Sequence, residues 1–408
     1  MEEWKEYKLS DVCGLVPGFA FKSKDFGAGA DFAIKIKDIQ PPYVETIDAD
    51  HVDISNYDLN KLSKFIVHRG EFLLAMTGAT IGKIGKYIDE KPAYVNQRVL
   101  KFKDVGLIDY RYLFYFLSNE VFQSYILNHI DSQSAQPNIS SNTIGKYTVR
   151  VPSLKTQQQI AAILSSLDDK IECNRRLNDN LEQLAQTVLK NWKEQVKQRA
   201  HYSTKLETIA LFVGGYSYKG KELKPSKKAM ATIKNFDRNG GFKLDGYKEI
   251  EPSDKVKPGQ FVNMFDILVA HTDLTQNAEV IGNAEMVLSF DGYERIVFSM
   301  DLVKVIPQDV FPFKFLLAAL LRDSDFKSHC MGYVNGTTVL HMSKKALPEF
   351  EVLLPKDQSS ICQIDTYLSN IYRKMAEIVS ESSHLSTLRD TLLPQLMSGE
   401  LIINELTM

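Results

Sequence analysis

The pattern of hydrophobic and polar positions occurs twice along this chain, once in each half. In each half, short apolar runs alternate with Gly, Asn and Asp clusters, which is typical of strands joined by turns. An aromatic and apolar stretch at helical spacing follows, and it predicts a buried helix over residues 110–130 and again over 312–326. One further strand then ends at Pro152 or Pro355, because proline cannot donate a hydrogen bond to a β ladder. The predicted strands are 32–36, 71–76, 98–102, 147–151, 265–269 and 350–354.

A long amphipathic helix is predicted after each of these prolines. In the second helix, apolar side chains recur by threes and fours from Ile361 to Leu385, which indicates a coiled-coil seam. The first helix, over residues 155–199, would reach roughly 65 Å at about 1.5 Å per residue. Neither helix is expected to be stable alone, so the two should pack on each other. The stripe predicted for the first helix is Ile160, Ile163, Leu167, Asn174, Leu177, Leu181, Leu184 and Val188, with Asp168, Asp169, Lys170, Glu172 and Arg175 largely off it. Asn174 either sets the register of the helix pair or is solvated.

The two halves also correspond at individual residues, about 200 positions apart. Leu9–Val12 is matched by Leu206–Ile209, and the dipeptide at residues 34–35 by the one at 233–234. Two similar halves tend to build a pseudo-two-fold molecule, in which the long helices run antiparallel. The predicted fold class is therefore α+β, with two similar mixed α/β globular domains joined by two long antiparallel coiled-coil helices. The predicted boundaries are 1–152 for the first domain, 153–200 for the central helix, 201–355 for the second domain, and 356–408 for the C-terminal helix and tail.

The composition narrows the class of protein. With 44% hydrophobic and 25% charged residues it is ordinary for a soluble globular protein, and no apolar run approaches the roughly 20 residues of a membrane span. The N-terminus is acidic and polar, unlike a signal peptide, so we expect a cytoplasmic protein. A net charge of -2 argues against a nonspecific polyanion binder but leaves room for a local basic face. The four cysteines, expected as reduced thiols without metal-ligand spacing, are Cys13, Cys173, Cys330 and Cys362.

Three segments resemble catalytic motifs, but each lacks a residue or spacing that the chemistry requires. Residues 40–43, Gln-Pro-Pro-Tyr, resemble a motif of amino-methyltransferases, but Gln is longer than the required Asp or Asn, and no Gly-rich turn for S-adenosylmethionine accompanies it. Residues 78–83 resemble a phosphate loop, yet the glycines are one position too close and Ile84 stands where Ser or Thr holds magnesium. The tripeptide at 89–91 lacks the second Asp of a nuclease site, and the histidines form no metal pair. The sequence therefore favours a binding protein over an enzyme.

Several segments resemble the specificity subunits of type I restriction–modification systems. Residues 154–164, with Gln157 and an Ile-x-x-Ile-Leu run, are similar to the opening of that family's spacer helices. Residues 392–401 are similar to its closing signature, and residues 78–82 and 136–140 resemble recurrent patches of its target recognition domains. The resemblance covers the whole chain, and it lies in the order and duplication of these segments.

The resemblance implies that this chain has no catalysis of its own. Such a subunit selects a bipartite, asymmetric DNA target, which consists of two short unlike sequences and a nonspecific gap set by the helices. It docks two adenine methyltransferase subunits and, in systems that contain them, motor-nuclease subunits. We therefore expect no cofactor or metal in this chain, with S-adenosylmethionine, ATP and magnesium on the partner subunits. The second half departs from the family's patches at residues 272–283 and 336–341, as expected of two domains that read different sequences.

Loop residues with hydrogen-bonding side chains are the candidates for contact with double-stranded DNA, because Arg, Lys, Asn, Gln and small hydroxyls read base edges. Residues 219–257 carry 11 basic against 6 acidic residues, which favours contact with phosphate there. The candidates in the first domain are Lys22, Lys24, Thr77, Thr80, Lys83, Lys86, Asn96, Gln97, Arg98, Ser132, Gln133, Ser134, Gln136 and Asn138. Those in the second domain are Lys219, Lys221, Lys227, Lys228, His271, Thr272, Thr275, Gln276, Asn277, Asn335, Thr337 and Thr338. The lysines at 22, 24, 219, 221, 227 and 228 are assigned to phosphate, and the other candidates to bases.

Two other functions stay open on the sequence alone. A coiled-coil adaptor whose globular ends bind protein would carry the same helices. A self-contained DNA methyltransferase is disfavoured, because the cofactor motif is missing. A neighbouring gene for an adenine methyltransferase would favour the DNA-recognition subunit.

Overall fold

The computed structural model of this chain describes residues 4–47, 49–130, 137–238, 240–273, 275, 277–336 and 339–401. Two compact units make up the chain: unit 1 is Met1–Asp169 with Ser386–Met408, and unit 2 is Lys170–Leu385. Each unit combines a mixed globular domain with segments of two long helices. Domain 1 denotes the globular part of unit 1 (residues 4–152), and domain 2 that of unit 2 (residues 201–355). The domain boundaries expected from the sequence were placed at the predicted ends of the two long helices. They stay a prediction.

Short strands dominate domain 1. They are β1 Lys5–Lys8, β2 Cys13–Pro17, β3 Phe26–Ile34, β4 Ile39–Gln40, β5 Tyr43–Val44, β6 Asp50–Val52, β7 Ile66–Val67, β8 Phe72–Ala75, β9 Ile84–Tyr87, β10 Ala93–Val95, β11 Val99–Asp104 and β12 Thr148–Val151. The helices are α1 Leu9–Val12, α2 Leu59–Leu62, α3 Tyr110–Leu117, α4 Glu120–Asn128 and α5 Ser141–Gly145. The long helix α6, Leu154–Lys197, begins in unit 1 and ends in unit 2.

Domain 2 has a similar inventory. Its strands are β13 His201–Lys205, β14 Ala210–Gly214, β15 Lys228–Ala231, β16 Lys248–Glu249, β17 Phe261–Val262, β18 Ile267–Ala270, β19 Thr272–Asp273, β20 Ala284–Met286, β21 Arg295–Phe298, β22 Leu302–Pro307, β23 Val334–Asn335, β24 Leu340–Met342 and β25 Glu351–Pro355. The helices are α7 Leu206–Ile209, α8 Lys314–Arg322, α9 Ser324–Met331 and α10 Ala346–Glu349. The second long helix, α11 Gln358–Ser398, begins in unit 2 and ends in unit 1.

The core strands have the same order in both domains. One sheet of domain 1 has the order β2-β11-β8-β9-β5-β4, and its counterpart in domain 2 has the order β14-β22-β18-β20. A further sheet has the order β6-β3-β10-β7 in domain 1 and β16-β15-β21-β17 in domain 2. In that sheet the two central strands are parallel in both domains. The two halves therefore share the order of their core strands, although β5 and β4 have no counterpart in the domain 2 sheet and domain 2 has a further sheet of order β19-β24-β23.

Strand β8 at the centre of domain 1 is buried on both faces. Because successive side chains of a strand point to opposite faces, Phe72 and Leu74 join the aromatic core with α3 and α4. Leu73 and Ala75 join the core shared with the further sheet. Strand β18 of domain 2 divides its four side chains between two cores in the same way. A strand covered on both sides reads as a continuous apolar run, which is why both strands were predictable from the sequence.

A buried lysine links the two sheets in each domain. Lys101 on β11 donates to the carbonyl oxygen of Ile66 on β7 at 2.5 Å and lies 3.4 Å from Glu71. Lys304 on β22 donates to a carbonyl oxygen of β17 at 2.7 Å and to Asp266 at 3.0 Å. The Lys304 side chain is 4% exposed and that of Lys101 8% exposed. Since a buried charge must be paired, each lysine holds the two sheets in one relative position.

Each of the two helices predicted beside the core is in fact a pair of helices, so that part of the prediction was wrong. Helix α3 ends at Leu117 and α4 begins at Glu120, because the Asn119 side chain accepts the backbone N–H of Phe122 at 2.9 Å. In domain 2, Asp323 caps α9 in the same position. A cap that satisfies a free N–H starts a new helix in a new direction.

The long helices confirm the predicted α+β class of two mixed domains connected by coiled-coil helices. Helix α6 has 44 residues and α11 has 41. Within unit 2 they run antiparallel, since Asn174 contacts Ser382 at 3.2 Å while Trp192 contacts Ser360 at 3.1 Å. The stripe predicted for the second helix is buried at Ile361, Ile364, Leu368, Ile371, Met375 and Ile378.

The stripe predicted for the first helix was wrong in part. Leu177 and Leu184 are each 40% exposed, and Asp168, which was placed largely off the stripe, is only 3% exposed. Burial of this carboxylate is possible because Arg389 pairs with it at 2.9 Å. Asn174 is 1% exposed and donates to two side chains of α11, so the solvated alternative for this residue is wrong.

At one place, the residues that correspond between the two halves differ from those expected from the sequence. In each domain a backbone N–H donates to the side chain three residues on, to Asp38 at 2.7 Å in domain 1 and to Asn235 at 2.8 Å in domain 2. These two turns are equivalent because each follows the strand at the centre of the further sheet. The dipeptide at 233–234 therefore corresponds to residues 36–37, and its match to 34–35 was wrong.

Candidate nucleic-acid interface

Three segments that carry predicted DNA contacts meet at one end of strand β8 in domain 1. The backbone N–H of Met76 donates to the carbonyl oxygen of Arg98 at 2.8 Å. The carbonyl oxygen of Met76 accepts the N–H of Ile139 at 3.0 Å, and Thr77 pairs with Asn138 in an antiparallel bridge. The fold thus brings together members of all three predicted clusters, although they are far apart in the sequence.

Loop 1, defined as residues 76–82, is a tight turn that depends on two glycines. Gly78 and Gly82 have φ angles of 78° and 83°, in the left-handed region that a residue with a Cβ avoids. A Cβ on Gly82 would also lie 2.8 Å from the side-chain oxygen of Gln123. The N–H of Gly82 donates to the carbonyl oxygen of Ala75 at 2.8 Å and closes the loop. The glycine spacing that resembled a phosphate loop is therefore explained by the shape of this turn.

Domain 2 holds its loop with the same main-chain bonds. The N–H of His271 donates to the carbonyl oxygen of Asp301 at 2.8 Å, and its own carbonyl oxygen accepts the N–H of Met342 at 2.9 Å. The N–H of Gly282 donates to the carbonyl oxygen of Ala270 at 3.0 Å. Loop 2, defined as residues 271–273, 275 and 277–282, therefore occupies in domain 2 the place that loop 1 has in domain 1.

A buried carboxylate folds loop 2 internally. Asp273 is 3% exposed, and it accepts the N–H groups of Thr275 and Val280, both at 2.8 Å. The hydroxyl of Thr275 donates to the same carboxylate at 3.0 Å. Two candidates from separate segments, Thr272 and Asn335, pair with His341 from opposite sides in the sheet of β19, β24 and β23. The predicted residues of domain 2 are thus also brought together.

The candidates of domain 1 differ in whether they can reach a ligand. Thr77 is 3% exposed and Asn96 8% exposed, and the Thr80 hydroxyl donates to the carbonyl oxygen of Ile36 at 3.4 Å. These three side chains are thus buried or hydrogen-bonded within domain 1. Lys86 is half-buried and lies 4.0 Å from Asp169. The exposed candidates are Lys22, Lys24, Lys83, Gln97, Arg98 and Asn138.

In domain 2, carboxylates occupy part of the predicted basic surface. Lys227 lies 3.2 Å from Glu294, and Lys228 lies 2.5 Å from Glu251. Thr272 is buried, at 5% exposure, and the half-buried candidates are Lys228, His271 and Thr275. The exposed candidates are Lys219, Lys221, Lys227, Asn277 and Asn335.

His271 begins loop 2 where domain 1 has Met76. Burial lowers the pKa of His271 below its usual range, and the nearby His341 and Lys344 lower it further. The imidazole is therefore neutral at pH 7, where it offers one hydrogen-bond donor and one acceptor.

Arg238 is a candidate that the sequence reasoning missed. It lies beside loop 2, 3.0 Å from Glu279, and its side chain is 67% exposed. The adjoining carbonyl oxygen of Asp237 accepts the side-chain amide of Asn283 at 3.0 Å, which fixes this turn against loop 2. The local signal was the Gly240-Gly241 pair, whose φ angles of 93° and 108° mark a tight turn that presents Arg238.

Seven predicted residues lie outside the described residues. They are Ser132, Gln133, Ser134, Gln136, Gln276, Thr337 and Thr338. Within the described ranges, no group of three or more His, Cys, Asp or Glu side chains is placed to hold a metal ion. In the same part of the chain, every helix is too short or too polar to cross a membrane.

Several known proteins have sequences similar to this chain. Residues 1–183 match the family model described as the type I restriction modification DNA specificity domain. The chain is 30% identical over 196 residues to the type I restriction enzyme MjaVIII specificity subunit of Methanocaldococcus jannaschii, a match that covers 46% of this chain and 45% of the relative. It is 23% identical to the MjaIX specificity subunit of the same organism, over 99% of this chain and 95% of the relative. Over nearly its whole length the chain is therefore similar to a specificity subunit of a type I restriction enzyme, and residues 1–183 are similar to the DNA specificity domain of such subunits.

A solved structure has the same fold. The type I restriction–modification S subunit from M. genitalium is 16% identical in sequence, with a TM-score of 0.52 over 97% of this chain and 96% of that chain. The chain spans less than half the length of two of these relatives: 45% of the MjaVIII subunit, and 41% of the type I restriction enzyme HindI specificity subunit of Haemophilus influenzae, to which it is 27% identical.

Proposed function

We propose that this chain is a non-catalytic DNA-recognition subunit that selects the sites at which a type I restriction–modification complex acts. The observation that carries the proposal is the repeated loop frame. The same main-chain bonds hold loop 1 at Met76 and loop 2 at His271, whereas the side chains of the two loops are unlike. A frame that is used twice with different surface residues suits two different short sequences. The target is therefore bipartite and asymmetric.

The exposed donors and acceptors around the two loops are suited to reading bases. Side chains that read base edges must reach into a groove, so the buried candidates Thr77, Asn96 and Thr272 act as supports for their loops. The base-reading residues proposed are Lys83, Gln97, Arg98, Asn138, Arg238, Asn277 and Asn335. The phosphate contacts proposed are Lys22, Lys24, Lys219, Lys221 and Lys227.

The partners follow from the repeated architecture. Two similar domains offer two similar surfaces, which fits the docking of two copies of an adenine methyltransferase subunit. Motor-nuclease subunits would join in systems that cleave DNA. S-adenosylmethionine, ATP and magnesium belong to these partners, and this chain contributes the choice of site.

The test begins with the host genome. Sequencing of methylated bases with and without this gene should reveal one bipartite motif that depends on the gene. The purified complex with the cognate methyltransferase should then bind a duplex containing that motif at least about a thousand-fold more tightly than a scrambled duplex at physiological salt. Equal binding to all duplexes across a range of salt concentrations would contradict the proposal and favour a protein-binding adaptor.

A further inference from the structure

A buried charged cluster joins domain 1 to the long helices of unit 1. Tyr115 on α3 donates its hydroxyl to the carboxylate of Asp168 on α6 at 2.5 Å, and Arg389 on α11 pairs with the same carboxylate at 2.9 Å. Asp168 is 3% exposed. Burial raises the pKa of the Tyr115 phenol, so it stays protonated and donates. Cluster 1, consisting of these three residues, therefore ties three separate elements to one point.

A second cluster of buried charged groups lies in unit 2. Arg322, the last residue of α8, pairs with Glu182 on α6 and with Glu285 on β20, the latter at 3.0 Å. Glu285 is 3% exposed and the Arg322 side chain 11% exposed. Tyr372 on α11 lines the same small cavity as Arg322 and Glu182. Cluster 2, defined as Glu182, Glu285 and Arg322, again joins a domain helix to a long helix, but here the domain supplies the arginine.

Buried ion pairs of this kind contribute orientation more than stability. An apolar contact is non-directional, so a domain held on a helix pair only by apolar contacts could rock while it keeps most of its buried area. A buried charge is different, because any movement that separates it from its partner leaves the charge unpaired at high cost. In unit 1 a rocking of α3 would break the bond between Tyr115 and Asp168. In unit 2 a movement of α8 would separate Arg322 from Glu182.

We propose that clusters 1 and 2 are positioning residues that hold each domain in one orientation on its helix pair, and so set which gap lengths between half-sites the protein accepts. This inference rests on the proposed function. Each base pair added to a gap displaces a half-site by about 3.4 Å and turns it by about 35° around the duplex. A domain held in one orientation meets its half-site at one gap length, whereas a domain that can rock also accepts neighbouring lengths.

The experiment uses the complex of the full chain with its methyltransferase. Initial methylation rates are measured on duplexes with both native half-sites and a gap that is native, one base pair shorter or one base pair longer. Tyr115→Phe keeps the ring and removes one hydrogen bond to a charged group, so it should reduce the preference for the native gap about ten-fold. Base preferences inside each half-site should not change. Glu182→Gln should have a smaller effect, because Arg322 keeps its pair with Glu285.

Tyr112→Phe is the matched control on the same helix. Tyr112 is fully buried, and its hydroxyl donates to the carbonyl oxygen of Arg150 at 2.8 Å, inside domain 1. This variant should lower the melting temperature and leave the gap preference unchanged. The inference is overturned if Tyr115→Phe leaves the gap preference intact, if Tyr112→Phe changes it equally, or if the wild type recognises both half-sites at any gap. A wild type with no preference for either half-site would instead overturn the proposed function.

Discussion

Domain 1 and domain 2 share a main-chain frame, yet they hold their recognition loops by different means. Both loops close on a glycine in the left-handed region, Gly82 in loop 1 and Gly282 in loop 2, but loop 1 also turns on Gly78, whereas loop 2 is folded around the buried carboxylate of Asp273. In both domains the frame is fixed by hydrogen bonds at the ends of the loop. Residues between those ends can therefore differ without disturbing the sheet beneath. This separation of frame from surface lets one fold present two different sets of side chains.

The largest expected effect concerns the buried lysines that join the two sheets in each domain. Lys304→Met removes one partner of a buried pair and leaves Asp266 without its bond at 3.0 Å. Breaking such a pair costs about 3–5 kcal/mol, which should appear in the free energy of unfolding measured by urea titration of the purified chain. Lys101→Met should cost less, because its partner Glu71 is 25% exposed and can be solvated.

Lys103→Met is the control for these substitutions, since Lys103 is exposed on the same strand as Lys101. It should leave the free energy of unfolding nearly unchanged. If both buried lysines behave like Lys103, the sheets of the two domains are held by other contacts and the comparison of the frames loses its basis.

A smaller effect distinguishes the two loops. Asp273→Ala removes the acceptor of two backbone N–H groups in loop 2, which should cost about 2–3 kcal/mol of stability in unit 2. Recognition of one half-site should be lost with it, while recognition of the other stays at the wild-type level. Binding of duplexes with one half-site scrambled measures both. Loss at both half-sites would mean that the domains do not read DNA separately.

Single reading residues should have effects of about 1.5 kcal/mol each. Lys83→Ala and Arg98→Ala both remove exposed donors beside loop 1, so each should weaken binding to the same half-site. Fluorescence anisotropy with half-site duplexes provides the measurement, and Lys103→Ala on the far end of β11 serves as the control. The prediction is contradicted if the two variants affect different half-sites or neither half-site.

The smallest effect concerns pH. Because the pKa of His271 is lowered in the folded chain, the unfolded chain binds the proton more readily. This group contributes nothing above its unfolded pKa near 6.5, and it costs stability as the pH falls from there towards the folded pKa. His271→Met, which copies the residue of domain 1, should remove this acid-side loss. Melting temperatures of both proteins between pH 7.5 and 5.5 test this, and parallel curves would contradict it.

The sequence predicted those parts of the fold whose signals are local. Strands β8 and β18 are continuous apolar runs because both of their faces are covered, and the stripe of α11 follows its buried face. Each predicted core helix is two helices, and the caps Asn119 and Asp323 are a local signal for this division. The signal was missed because apolar residues at helical spacing lie on both sides of each cap. The exposed members of the candidate site, such as Lys83 and Arg98, were identified as residue types suited to DNA.

Contacts between distant residues could not be predicted in this way. Asp168 is buried because Arg389 neutralises it, and no local pattern links these two positions. Leu177 and Leu184 keep the heptad spacing yet turn away from the seam, as happens when a helix of 3.6 residues per turn drifts from a repeat of 3.5. Loop 1 and loop 2 are equivalent because each is held within its own domain by the same backbone hydrogen bonds. Backbone atoms carry no sequence signal, so this equivalence could not be predicted.

The most direct test of separate reading by the two domains is the methylated motif of the host genome, determined for the wild type and for one variant in each loop. Arg98→Ala in domain 1 should relax the bases of one half of the motif, and Asn277→Ala in domain 2 those of the other half. Relaxation of both halves by either variant, or of the same half by both, would contradict the account.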